Sequence, residues 1–268
     1  MRTRVLPGAL AILCALAFAV PAGAINIGGT DYTLLGKTNV TMKNGSLLSI
    51  QGTVGVNDVG GRLRIGASNK ITGAVADTMF FGSGATVDNC AFNTSTGGHP
   101  TAACLEISST ILPITAWPPV PVPVVSAGVR DPICPTDGAL DLAPGNYRNL
   151  QVNAGCVLAL IAGNYNFKSL HMRAGSTMTG AAATATAIHV LKVVTGPRVT
   201  INDVSITAIA VGPFDAIKIA RDSVLNNVRL YAPNARLHLQ KGGVYSNFEG
   251  VAKFITVEQI TITGVPPN

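Results

Sequence analysis

Apolar and polar residues alternate in short runs along most of this chain, and the alternation recurs at a fixed distance. In Leu150-Gln151-Val152-Asn153 the apolar positions are two apart, and Leu170-His171-Met172-Arg173 repeats the pattern 20 residues later. Period-2 alternation puts Leu150, Val152, Leu170 and Met172 on one side of a strand and Gln151, Asn153 and His171 on the other. The surrounding residues match as well: Gly145-Asn146-Tyr147 resembles Gly163-Asn164-Tyr165, and Ala154-Gly155 resembles Ala174-Gly175. The glycine of the first pair is displaced by 18 residues and that of the second by 20, which reads as two residues inserted in one turn.

A period near 20 with Gly and Asn turns between short strands describes one coil of a solenoid, whose apolar face is buried only when coils stack. Weaker copies of the pattern lie around Gly45, Gly66 and Gly84, and strand-like runs continue through Val199-Thr200-Ile201, Val228-Arg229-Leu230, Arg236-Leu237-His238-Leu239 and Thr261-Ile262-Thr263. Coils are therefore expected over most of residues 30–264. No stretch carries a helical period, and the Ala-rich residues 181–187 read as a lateral loop or strand because of their threonines. The fold class is all-β, a single right-handed parallel β-helix, the handedness following from the general preference of parallel crossovers. An antiparallel sandwich or jelly roll fits the composition but does not produce recurrence at a shift of 20.

Composition supports this reading. The chain is 47% hydrophobic and only 12% charged, with 29 Gly, a profile suited to strands and tight turns. Residues 90–136 interrupt the coils with a cysteine-flanked, proline-rich stretch that includes Leu112-Pro113 and Trp117-Pro118-Pro119-Val120-Pro121. Proline removes backbone donors and favours extended conformation, so this stretch is expected to be an excursion lying along the solenoid, with Trp117 anchoring it to the coils. At the other end, Gly264-Val265-Pro266-Pro267-Asn268 is expected to stop a strand and cap that end of the solenoid.

The first residues, Met1-Arg2-Thr3-Arg4, are followed by an apolar run over residues 5–20 and by Pro21-Ala22-Gly23-Ala24. This is the pattern of a secretory signal peptide cut after Ala24, leaving one domain over residues 25–268. The run is shorter than a membrane span needs, and the residues before Cys14 fit a lipoprotein site poorly. The expected location is extracellular or cell-surface, with the periplasm as a further possibility. Loss of Arg2 and Arg4 leaves 17 Lys and Arg against 13 acids, a net charge of +4. Scattered basic residues without interleaved aromatics argue against nucleic acid and permit an acidic polymer.

Four cysteines remain after such a cut: Cys90, Cys104, Cys134 and Cys156. An even count in an exported chain points to disulfides, and the local pairing, Cys90 with Cys104 and Cys134 with Cys156, closes the shorter loops. Cys90, His99 and Cys104 match no zinc spacing, so neither a metal nor any other cofactor is expected.

The turns Leu142-Ala143-Pro144-Gly145-Asn146-Tyr147, Gly163-Asn164-Tyr165 and Ala174-Gly175-Ser176-Thr177, with Leu230-Tyr231-Ala232-Pro233-Asn234-Ala235, resemble bacterial exported β-helix proteins whose coils are similar to those of polymer-forming, bactofilin-like proteins. The resemblance covers residues 113–264 and fades before residue 90. It implies a parallel β-helix in an envelope or surface setting, and it supplies no catalytic residues.

Residues 142–202 contain no Asp or Glu, so the best coils cannot house the carboxylate pairs of a glycosidase or a calcium-dependent lyase. The richest charged group elsewhere is Asp203, Asp215, Lys218, Arg221 and Asp222. A second candidate is basic: Arg148 stacks over Lys168 by the shift of 20, with His171 and Arg173 nearby, and like charges at strand spacing invite an anionic polymer. These features support a structural or adhesive surface protein that is not an enzyme, whose partners are a second copy meeting it end to end or an acidic polysaccharide. The alternative is a β-helix that binds or degrades carbohydrate.

Overall fold

A computed structural model describes residues 26–27, 30–45, 49–97, 103–106, 117 and 128–264. They form a parallel β-solenoid of about ten turns with roughly 20 residues per coil, and no helix. Asn26–Ile27 alone pairs antiparallel, with the start of Thr30–Met42. The signal-peptide segment and most of the proline-rich stretch lie outside the described residues.

Each coil contributes to three faces. Face A stacks Asn149–Val152 on residues 169–172, 192–195, Asp215–Ile219, 236–239 and 254–257 in turn. Face B includes Val157–Leu160, Thr177–Thr179, residues 200–202, 224–226 and 243–246, and Ile260–Thr263. Face C includes residues 163–167, 186–190, 204–208, 228–232 and 248–252. Along face A one interior column runs Leu150, Leu170, Val193, Ile217, Leu237, Ile255. All six are at most 1% exposed, and each such burial contributes roughly 1.5–3 kcal/mol.

The predicted period is observed: Leu150 pairs with Leu170 and Val152 with Met172. The 18-residue match of Gly145 to Gly163 is not a register. Gly145 pairs with Tyr165 and Asn146 with Asn166, so the shift is 20 here too and no insertion separates these two strands. Gly163 sits at φ +143 against the ring of Pro144, whereas Gly145 lies in ordinary strand, so the two glycines do different work. The Ala-rich residues 181–185 turn the corner into strand Thr186–Thr195.

The coils do not stack in chain order. Residues 254–257 pair with residues 39–42, Ile255 opposite Val40, and Val251 lies opposite Leu35. Strand Ile260–Thr263 pairs with residues 243–246 on one side and with residues 49–50 on the other. The N-terminal coils, residues 30–106, thus continue the solenoid where the C-terminal coils stop, and the interior column runs on through Val40, Leu63 and Met79. Ile260–Thr263, the strand before the proline-containing C-terminus, is enclosed in mid-solenoid rather than at an end, which corrects the expected end position; residues 265–268, with both prolines, lie outside the described residues. Among the described residues the outer ends are Ala103–Glu106, which pairs with residues 89–92, and the Ile133–Cys134 and Ala139–Leu142 coil.

The solenoid also extends past Cys90, through strands Thr86–Gly97 and Ala103–Glu106. Cys134 and Cys156 form a disulfide with Cα atoms 6.1 Å apart, tying the end coil to the next. Cys90 is disulfide-bonded and lies directly opposite Cys104 in the neighbouring strand. Trp117 packs on Tyr32, Leu35 and Val251, at the place where the C-terminal coils meet the N-terminal ones.

Candidate binding face

Strand Arg62–Ile65 alternates strictly: Leu63 and Ile65 are buried and Arg62 and Arg64 point out from face A. Asn39 and Thr41 flank them on one neighbouring strand, and Thr78 and Phe80 on the other. Asn39, Thr41, Arg62, Arg64 and Phe80 line a shallow depression of about 220 Å³, and a second depression continues from Arg64 and Phe80 to Thr96 and Gly97. Neither arginine makes an ion pair or a side-chain hydrogen bond among the described residues. The nearby acids are engaged elsewhere: Asp58 accepts from Thr38, and Asp77 from the Gly60 N–H and from Asn93.

The C-terminal part of face A is also basic but compensated. Asp215 faces Arg236 at 3.6 Å and His238 Nδ1 at 3.2 Å, and His238 Nε2 lies 3.3 Å from Glu258, which also receives Lys43. Lys253 lies over the ring of Phe254, 5.4 Å from its centroid. Phe254 occupies the register position between Arg236 and Asn39, so an outward aromatic stands on each side of the Arg62 strand.

The basic group expected from the sequence is partly assembled. Lys168 is one coil from Arg148, its N–H donating to the Arg148 carbonyl at 2.6 Å. Arg148, however, is bound to Asp131, donating from Nε at 3.0 Å and from Nη2, while Asp131 also accepts from Asn149. Hydrogen bonding from Arg148 holds the Asp131 carboxyl below its ordinary range. His171 lies in the outward row of face A between Gln151 and Val194, and Arg173 in the turn that follows; both are exposed, as is Lys168.

The charged group Asp203, Asp215, Lys218, Arg221 and Asp222 does not share one face. Asp203 forms the corner between faces B and C at φ +57 and accepts from Asn227 at 2.7 Å. Asp222, at φ +59, is in the turn from face A to face B, 3.9 Å from Arg221. Asp and Asn tolerate this left-handed region better than most residues, which accounts for both positions. Asp215 and Lys218 remain on face A.

Two features escaped the sequence reading. The Arg62-Leu63-Arg64-Ile65 alternation was available as a signal for paired outward arginines, and Arg229 with Glu249 gave none, because outward positions on a strand are not expected to be buried. Both are fully buried on the outer side of face C, with Nε 3.4 Å from Oε2. Guanidinium groups, amide and hydroxyl donors and aromatic edges on a sheet face are suited to holding carboxylates and sugar-like surfaces.

The fold defines a parallel β-solenoid. Compared with protein-family models, curated proteins and solved structures, the chain matches none. No helix among the described residues is long and apolar enough to cross a membrane.

Proposed function

We propose that this chain is a secreted structural or adhesive β-solenoid of the bacterial cell surface or extracellular matrix, which holds an acidic polysaccharide along face A without cleaving it. The observation that carries the reading is the pair of arginines, Arg62 and Arg64, that have no partner among the described residues and stand beside Phe80 in an open depression. Bidentate guanidinium contacts favour carboxylates over neutral hydroxyls, and the aromatic edge adds apolar contact. Lys192 and Lys218, with His171 in the same outward row, continue the basic residues of face A in the C-terminal coils, where Lys168 and Arg173 flank them. The signal-peptide pattern, the Cys134–Cys156 disulfide and the resemblance to exported, bactofilin-like β-helix proteins support an extracellular setting.

The test uses the mature chain, residues 25–268, with polygalacturonate and alginate as acidic probes and dextran as the neutral one. Binding is expected to the acidic polymers alone, to weaken with salt, and to fall about tenfold or more in the Arg62→Ala/Arg64→Ala variant, a loss of ~1.4 kcal/mol. Equal binding by that variant removes face A from the reading. New reducing or unsaturated chain ends, lost in Asp215→Asn, would instead make the protein a degrading enzyme.

A further inference from the structure

The solenoid contains a joint that no peptide bond crosses. Residues 30–106 meet residues 128–264 through backbone ladders that place Leu34 opposite Gly250, Val40 opposite Ile255 and Ser49 opposite Thr261. The Lys43 N–H donates to the Val257 carbonyl at 2.8 Å, Lys43 pairs with Glu258, and the Gly264 N–H donates to Gln51 Oε1 at 3.4 Å. Every one of these contacts joins a residue of the first block to a residue of the second. The covalent connection lies instead between Glu106 and Gly128, which belong to opposite ends of the solenoid.

Nothing in the joint requires the two blocks to belong to one molecule. A connection of the length of residues 107–127 can reach at most roughly 65 Å at ~3.1 Å per residue, against ~48 Å for ten turns at ~4.8 Å, so the closed monomer is within reach. Two solenoids lying side by side in opposite directions bring the Glu106 end of one next to the Gly128 end of the other, which asks less of the same connection.

We propose that the blocks exchange between copies of this chain, residues 30–106 of one molecule stacking on the 243–263 coil of a second. Exchange keeps every strand pairing of the joint and changes the path of the connection, with the Trp117 packing that belongs to it, and the entropy of association, so concentration decides the balance. Reciprocal exchange gives a dimer and non-reciprocal exchange an open chain, a route to assembly separate from contact between the outer ends. It is also independent of polysaccharide binding.

The test uses two single variants of the full mature chain, Thr41→Cys and Thr256→Cys, whose positions lie directly opposite each other across the joint. The two proteins are denatured without reductant, mixed, refolded at high concentration and oxidised. The expected result is a covalent dimer linked 41 to 256, absent when either variant is refolded alone and increasing with concentration. Association through the outer ends cannot form that link. A mixture that stays monomeric, while the Thr41→Cys/Thr256→Cys chain closes its own bridge, overturns the proposal. Light scattering of the unsubstituted chain after the same refolding provides a second reading: dimers or longer assemblies that persist on dilution support exchange, and a monomer at every concentration overturns it.

Discussion

Lys43 Nζ lies 2.8 Å from Glu258 Oε1 although 215 positions separate them in the chain. The two are neighbours because the N-terminal coils stack on the C-terminal ones, and the pair sits at the edge of that joint. Glu258 also faces His238 Nε2 at 3.3 Å and accepts from the Lys241 N–H.

This arrangement makes the joint sensitive to acid. Partial burial pushes the Glu258 carboxyl up, but hydrogen bonds from Lys43 and His238 outweigh it and hold the group below its ordinary value. A carboxyl lowered on folding stabilises the protein above its unfolded value of ~4.3, and that contribution is lost as pH falls through the folded value. Because Lys43 is more than half exposed, the contribution is expected to stay below about 1 kcal/mol. Denaturant midpoints measured from pH 7 down to pH 3 are expected to show a smaller acid loss for Glu258→Gln than for the unsubstituted chain. Parallel pH curves for the two proteins would assign the acid sensitivity to other groups.

A buried pair one face away behaves differently. Arg229 and Glu249 are both fully buried, and Glu249 also accepts from Tyr231, whose phenol is raised mainly by burial and secondarily by that carboxylate. Leaving one buried charge without its partner costs about 3–5 kcal/mol, whereas replacing both with apolar residues is often neutral. Arg229→Met is therefore expected to lower stability by that amount, and Arg229→Met/Glu249→Leu to recover most of it. A double variant no more stable than the single one would show that the pair orders the surrounding backbone rather than merely compensating itself.

The residues differ in how much they disclose. The Leu150 and Leu170 match reveals both the coil period and the inward face, since alternation is a local property of each strand. The same alternation runs through residues 30–97 and 128–264 alike, so it cannot tell which coil lies on which, and the joint at Val40 and Ile255 has no local signature. Turn glycines mislead for a related reason. The left-handed corner is taken by Gly175 in one coil and by Arg198 and Asp222 in the next two, so matching glycine to glycine, as with Gly145 and Gly163, does not preserve register. For binding, the alternation around Leu63 places Arg62 and Arg64 outward, yet only the structure reveals that they have no partner among the described residues while Arg148 has Asp131.

The outer end of the C-terminal block is where chain entropy matters most. Ile133–Cys134 and Ala139–Leu142 pair on one side only among the described residues, so the end coil has half the ladder contacts of an interior coil. The Cys134–Cys156 bond, closing a separation of 22 residues, fixes that coil to its neighbour. Loop-closure entropy for a ring of that size is worth about 3 kcal/mol. In a solenoid, contacts are made between adjacent coils, so a loss at one end is expected to remain local at first. Cys134→Ala/Cys156→Ala should therefore lose amide protection over residues 133–142 well before the joint strands at 39–42 and 254–257. Equal loss of protection in both places would mean that the solenoid unfolds as one cooperative unit, with the disulfide acting on the whole rather than on its end.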